Sequence, residues 1–225
     1  MSAEPVRVAL SWSGGKDAAW ALHRLRDLPA VEVVALVTTV VSAFGRVAMH
    51  GVRAELVRAQ ARAVGIQLVE VPLSWPSTNA EYEQRVGAAL ARLRTELGLT
   101  HVAFGDLFLA DVRAYRERML AGTELTPLFP LWLEPTDRLM ETMLSEGVEA
   151  RIVCLDPLRV GRELAGRALD AELLAGLPAA VDPCGERGEF HTFVTAGPML
   201  REPVAVTRGE IVEREGFVYA DLLPI

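Results

Sequence analysis

Apolar positions along the chain follow two periods. Short β-branched runs, typical of buried strands, alternate with stretches whose apolar residues return every three to four positions, typical of helices packed on one face. Residues 6–10 read as a short buried strand, and residues 11–16 as a loop of small residues. From residue 17 to 26 the spacing predicts a helix with Ala18, Leu22 and Leu25 on its inner face. A second strand is expected over residues 31–41, a helix over 52–64 and a third strand over 67–71. Pro72 and Pro76 break the chain. Asn79 is placed to cap a long helix to Leu97, with Tyr82, Val86, Leu90 and Leu93 spaced for burial. A strand at residues 101–105 and a helix at 110–120 follow.

This strand–helix alternation predicts an α/β fold, a doubly wound parallel sheet with helices on both faces. Pro127, Pro130 and Pro135 mark a change of style. A helix at residues 136–145 and a strand at 149–155 are expected to complete or extend the first sheet. Beyond Asp156 the chain is richer in Gly and Pro, and residues 190–195, 204–213 and 217–222 look like antiparallel strands. A boundary near Thr126 divides the chain into residues 1–125 and a smaller C-terminal α+β subdomain, residues 126–225.

Composition narrows the class. Hydrophobic residues make up 51% of the 225, enough for a substantial core. No apolar run approaches the ~20 residues of a membrane span, and the N-terminal stretch lacks an export signal, so a cytoplasmic protein is expected. Two cysteines, Cys154 and Cys184, are too few for a disulfide scaffold or a cysteine-rich zinc site. The net charge of −7 argues against broad nucleic-acid binding. A homodimer is compatible with the chain but not specified by it.

Lys16 is the single lysine among 23 basic residues, the other 22 being arginines. It sits beside two glycines at the end of the first apolar run. A compact ammonium is needed there where a planar guanidinium would not fit, and phosphate in a tight loop is such a place. Strand, small-residue turn and helix start together make an anion site. Glycines let the backbone approach, the helix N-terminus offers free amides, and the lysine neutralises charge. The pattern is not a Walker A loop, which needs Gly where Leu10 stands and Ser or Thr where Asp17 stands.

Ser13-Gly14-Gly15-Lys16-Asp17 after an apolar strand resembles the SGGKD(S) signature of the ATP pyrophosphatases of the adenine-nucleotide alpha-hydrolase fold. The resemblance implies a sheet in the order 3-2-1-4-5 and cleavage of ATP between its α and β phosphates. Ala18 departs from it, standing where a second serine is usual. In a doubly wound sheet, ligands sit outside the C-terminal strand ends. Ser11, Ser13, Gly14, Gly15, Lys16 and Asp17 are therefore the expected phosphate site, with Thr38 and Thr39 where adenosine should rest. Gly105-Asp106 ends the neighbouring strand. Asp106 suits a Mg²⁺ ligand, with Asp17, or equally a helix cap. His50 opens the next helix and fits either a nucleotide contact or a packing role, while His23 and His101 look structural.

A second cluster runs over residues 182–193. Glu186 and Glu189 lie three apart between glycines, and His191 and Thr192 follow on a strand. The carboxylates suit metal or ammonium binding or general base work, and a charged surface turn fits the same pattern. Cys184 has no evident base partner and is not a candidate nucleophile. With the first motif, the string CGERGEFHTFV…GP is similar to the C-terminal signature of the diphthine–ammonia ligase family. Gly105-Asp106 with Arg113, and Pro130-Leu131-Trp132, resemble that family's GD…R and PLW segments, so the resemblance covers residues 6–198.

The resemblance implies an AMP-forming carboxylate–ammonia ligase using ATP and Mg²⁺. Members adenylate the carboxylate of diphthine, a modified histidine of elongation factor 2, and ammonium then forms the amide. Lys16, Asp106, Glu186, Glu189 and His191 are the expected catalytic set. Free ammonium is the expected donor, since the chain has no room for a glutaminase domain. The arginine-rich composition looks like a GC-rich prokaryote; a bacterium would be expected to lack diphthamide, and the same chemistry would then serve another carboxylate. A non-catalytic nucleotide sensor and a tRNA-modifying enzyme are the rival classes.

Overall fold

The computed structural model describes residues 5–225; the first four residues, part of the N-terminal stretch expected to carry no export signal, lie outside it. The first half contains β1 (Val6–Ser11), α1 (Lys16–Arg26), β2 (Val31–Val41), β3 (Arg46–Val47), α2 (Ala54–Val64), β4 (Leu68–Leu73), α3 (Asn79–Leu97), β5 (His101–Ala103) and α4 (Ala110–Leu120). The second contains β6 (Thr126–Leu128), α5 (Thr136–Ser145), β7 (Glu149–Leu155), a 3₁₀ turn, α6 (Ala171–Ala175), β8 (Phe190–Ala196), β9 (Val206–Arg214) and β10 (Phe217–Pro224).

The first sheet has β1 at its centre. Leu10 is flanked by Leu36 of β2 and Ala103 of β5, both parallel. β4 pairs with the far edge of β2, and β6 with β5. The parallel strands thus run β4-β2-β1-β5-β6, the expected 3-2-1-4-5. The fifth place, however, belongs to β6 and not to the strand at residues 149–155. Three residues containing Pro127 carry no periodic signal, and proline is tolerated only because β6 is an edge strand. β3 is a second addition. It pairs antiparallel with Val40 and Val41, beyond the last residue of β1 in the register, and so overhangs the C-terminal strand ends.

β7 instead starts a separate antiparallel sheet in the order β8-β7-β10-β9. Its last four residues, Ile152 to Leu155, are buried without a break, which explains why it reads like a parallel-sheet strand in sequence. The first sheet separates two apolar layers, as side-chain alternation requires. Ala9, Ala35, Val37 and Val102 face α3 through Val86, Leu90 and Leu93. Val8, Leu10 and Leu36 face the layer that holds α1 and α2 and continues into the second sheet through Ile152, Phe190 and Phe193. α3 is capped by Thr78, whose hydroxyl accepts from the Glu81 amide, so Asn79 is its first residue and not its cap.

Candidate nucleotide site

β1 ends at Ser11 and α1 starts at Lys16, leaving four residues to reverse the chain. Gly14 has φ of 81°, and a Cβ there would lie 2.7 Å from Gln60 Oε1, so only glycine fits. Gln60 is fully buried and holds the turn. Its Nε2 donates to the carbonyls of Gly14 (3.0 Å) and Val194 (2.7 Å), and its Oε1 accepts from Trp12 Nε1 (3.1 Å). The Val194 amide donates to the Gly14 carbonyl at 2.9 Å, seating β8 of the second sheet against the loop. Gly15 caps α1 without a side chain, while Thr192 Oγ1 accepts the Lys16 amide at 3.1 Å.

The Lys16 side chain is 2% exposed. Its Nζ donates to the Asp17 carboxylate at 2.8 and 3.0 Å and to the Cys184 carbonyl. Burial disfavours the ammonium, but the Asp17 carboxylate leads the opposing charges and holds the pKa above the ordinary lysine value. Gly105 presses β5's exit onto α1: a Cβ there would meet the Asp17 carbonyl carbon at 2.8 Å. From that exit, the Leu107 amide donates to Glu186 Oε1 at 2.8 Å. Burial raises the Glu186 pKa to about 7, with Asp17 and Asp106 adding to the rise against the Leu107 bond and Lys16.

Asp106 does not cap α4, which is preceded by Leu109 with no side-chain cap. Its Oδ2 accepts instead from Arg116 Nε at 3.3 Å. Arg116 also donates to the Tyr82 hydroxyl at 3.2 Å and lies over the Phe104 ring. Glu189 is fully buried and turned into its own loop: its oxygens accept from the amides of Asp182 (3.1 Å) and Arg187 (2.9 Å). Asp182 ties the same loop, accepting from the Cys184 amide and from Thr136 Oγ1. Burial pushes the Cys184 thiol far up, which leaves it a poor nucleophile.

A cleft of about 510 Å³ adjoins the loop, lined by Ser11, Ser13, Thr38, Thr39 and His50 together with Arg116. Thr38 Oγ1 and His50 Nδ1 are buried beside it without a hydrogen-bond partner among the described residues, an arrangement that a ligand or water would complete. His50 stacks on His191, centroids 4.4 Å apart and planes 35° apart. Burial leads the depression of both imidazoles, His191 to about 4, and Lys16's charge contributes to each. Both are neutral at pH 7.

The expected site residues therefore fall into four places. Ser11, Ser13, Thr38, Thr39 and His50 line the cleft; Gly14, Gly15, Lys16, Asp17, Gly105, Asp106 and Glu186 meet at the loop beside it. His191 stands behind His50, and Glu189 lies inside its own loop. Sequence reasoning missed Gln60, Thr192 and Arg116. Gln60 carried a legible signal: it follows Leu56 and Val57 on the inner face of α2, where a polar residue must be hydrogen-bonded.

Adenosine triphosphate fits this arrangement through the Thr38 and His50 atoms left unpartnered among the described residues, with the start of α1 beside the cleft. For a divalent cation, no three His, Cys, Asp or Glu side chains gather as a cage among the described residues. The 27% exposed Asp17 carboxylate suits the sparer mode in which Mg²⁺ takes one or two carboxylates and completes its shell with phosphates and water.

Two family models cover nearly the whole chain. Diphthamide synthase N-terminal domain matches residues 6–124, and diphthamide synthase C-terminal domain matches residues 135–221. Among curated proteins, the diphthine–ammonia ligase of Schizosaccharomyces pombe is 24% identical over 155 residues, 67% of this chain and 26% of that protein. That of Danio rerio is 24% identical over 150 residues, 64% of this chain and 58% of the relative. That of Bos taurus is 27% identical over 118 residues, 50% of this chain and 44% of the relative. The chain thus spans less than two thirds of each relative's length. With both family models matched in order around the same loop, the chain belongs to the diphthamide synthase family.

Proposed function

We propose that the chain is an ATP-dependent, amide-forming ligase that activates a carboxylate as its adenylate and passes it to ammonia, releasing AMP and pyrophosphate. The observation that carries this is the closure of the C-terminal loop on the phosphate loop. The Cys184 carbonyl accepts from Lys16 Nζ, and the Glu186 carboxyl accepts from the amide of Leu107, at the exit of β5. A site for a water-sensitive acyl-adenylate needs such enclosure.

In this proposal Ser13, Gly14, Gly15 and Lys16 hold the β and γ phosphates. Thr38, Thr39 and His50 take the adenosine side, with Ser11 at the cleft wall. Asp17 and Asp106 would hold Mg²⁺ with the phosphates; when bound, the ion offsets phosphate charge. An acceptor carboxylate oxygen bonds to the α-phosphorus as its bond to the bridging oxygen breaks, and pyrophosphate leaves. Ammonia then bonds to the acyl carbon, AMP leaves, and one proton is lost from nitrogen. Glu186, with a pKa of about 7, is poised to take that proton at neutral pH. Glu189 is a positioning residue for the Glu186 loop, and His191 borders the acceptor. The relatives' name points to diphthine as the acceptor and ammonia as the donor; elongation factor 2 as the bearer of diphthine and the cytoplasm as the place of action follow from the family resemblance and are part of this proposal. No helix among the described residues is long and apolar enough to cross a membrane.

The test is product analysis with ATP, Mg²⁺, ammonium and diphthine-bearing elongation factor 2, beside a Lys16→Ala control. AMP and pyrophosphate that depend on ammonium and vanish in the control are expected. ADP would overturn the ligase in favour of a different phosphate chemistry, and bound ATP that is never turned over would overturn it in favour of a nucleotide sensor.

A further inference from the structure

A second cavity, about 430 Å³, opens beside the nucleotide cleft. The two share a wall at Val41, Val47, Ala48, Met49 and Trp75, the overhang made by β3 and the end of β2. His50 lines the first cavity and His191 the second, and their rings are stacked 4.4 Å apart. The histidine pair is therefore the partition between the two spaces. The outer wall comes from the second sheet.

The lining is aromatic. Phe44, Trp75, Phe217 and Tyr219 all contribute, with Phe44 and Trp75 meeting edge-on at 5.7 Å. Three side chains around this one opening are large, apolar and half or more exposed: Phe44 at 50%, Met49 at 75% and Trp75 at 51%. Asp221 is the carboxylate of the wall, but Arg46 Nη1 holds it at 2.9 Å and Arg53 Nη2 at 2.7 Å, so it does not repel an anion. Arg214 and Glu215 stand exposed at the rim with opposite charges. At the inner end the ring nitrogens of two neutral imidazoles can donate to a carboxylate, and the Lys16 charge lies close enough to act on both rings.

We propose that this second cavity is the acceptor site, taking a carboxylate on a flat body that stacks along Phe44, Trp75, Phe217 and Tyr219, its carboxylate end meeting the nucleotide at His191 and His50. This rests on the ligase function proposed above. The acceptor and ATP enter from opposite sides of the histidine pair, which places the attacking oxygen and the α-phosphorus together only when both cavities are filled.

The test blocks the second cavity after folding. Val212 lines it and does not line the nucleotide cleft. Cys184 is buried away from this cavity, and Cys154, which lines it, is buried with its thiol pushed up to about 11 by desolvation, so Val212→Cys supplies the more reactive thiol to N-phenylmaleimide, and treated wild type controls for Cys154. ATP binding is read by equilibrium dialysis, and turnover by ammonium-dependent AMP release with diphthine-bearing elongation factor 2. The blocked variant is expected to bind ATP as the unblocked one does while its AMP release falls at least about tenfold. A Phe217→Ala chain is expected to raise the acceptor KM and leave the ATP KM unchanged. Full AMP release from the blocked variant would overturn the acceptor cavity, as would loss of its ATP binding, which would make the space part of the nucleotide site. No AMP from the wild-type chain itself would remove the ligase function and this site with it, a result distinct from either.

Discussion

The Lys16 ammonium donates to the main-chain carbonyl of Cys184, joining the first residue of α1 to a loop 168 positions later in the chain. The same ammonium holds the Asp17 carboxylate. Three oxygens accept from this one buried nitrogen, a point-donor geometry that a planar guanidinium does not reproduce. Lys16→Arg keeps the charge but loses that geometry. Its AMP release is expected to fall about 100-fold, the scale of losing a fixed donor at a reacting phosphate. Wild-type turnover by this variant would remove Lys16 from the phosphate site.

Glu186 titrates in the folded chain near pH 7, raised by burial. A carboxyl whose folded pKa is raised binds more protons than the unfolded chain between its ordinary value and 7, so stability falls as pH rises through that window. Glu186→Gln should remove that share of the pH dependence, visible as a difference in urea midpoint between variant and wild type that shifts in the variant's favour between about pH 4.5 and 7, while the opposing slope of the depressed His50 and His191 stays common to both chains. If Glu186 is the base, the variant should also lose the limb of the rate profile near pH 7 at saturating ammonia. An unchanged rate profile would count against the base role while leaving the stability argument intact.

Gln60 satisfies Trp12 Nε1 and the carbonyls of Gly14 and Val194 from a fully buried position. Gln60→Leu keeps the volume, strands Trp12 Nε1 and removes the Val194 carbonyl's bond from this side chain, while the Gly14 carbonyl keeps the Val194 amide. The expected loss is about 2–4 kcal/mol, from two buried polar groups left without this partner. Nucleotide affinity should drop with it, because the loop hangs on this side chain. A urea midpoint equal to wild type would show that the hub is dispensable.

Asp221 bridges Arg46 of β3 and Arg53 before α2, tying the first sheet's overhang to the second sheet. Burial opposes its charge, yet the hydrogen bonds from Arg53 and Arg46 outweigh it and bring the pKa to about 2. A depressed carboxylate stabilises above its unfolded pKa and loses that contribution as pH falls toward 2. Asp221→Asn should cost about 1–2 kcal/mol at pH 7, and the difference from wild type should shrink below about pH 4. A difference that is flat in pH would mean packing, and not the ion pairs, carries the effect.

Much of this site was legible because its key residues are local in sequence. The strand, the Ser13–Asp17 turn and the helix behind it are set by neighbours a few positions apart, and small residues beside the single lysine announce an anion. The alternation predicted a parallel sheet, and the order of its strands came with the family resemblance. Glu189 shows the limit. Its spacing to Glu186 looks like a pair aimed at one ligand, but in the loop Glu186 points to Leu107 and Glu189 turns back to the amides of Asp182 and Arg187. Spacing in a loop does not fix direction; the backbone amides that need acceptors do.

The sequence by itself determined the periodic elements, the phosphate loop and the family motifs, since each depends on local sterics, backbone geometry or side-chain chemistry read within one segment. Only the tertiary structure decided which sheet β7 joins, that β6 and β3 exist, that Gln60 holds the loop, and that His50 and His191 meet between two cavities. Those outcomes depend on contacts between segments far apart in the chain, where the free energy of burying one surface against another, and of pairing every buried polar group, is settled by the whole fold.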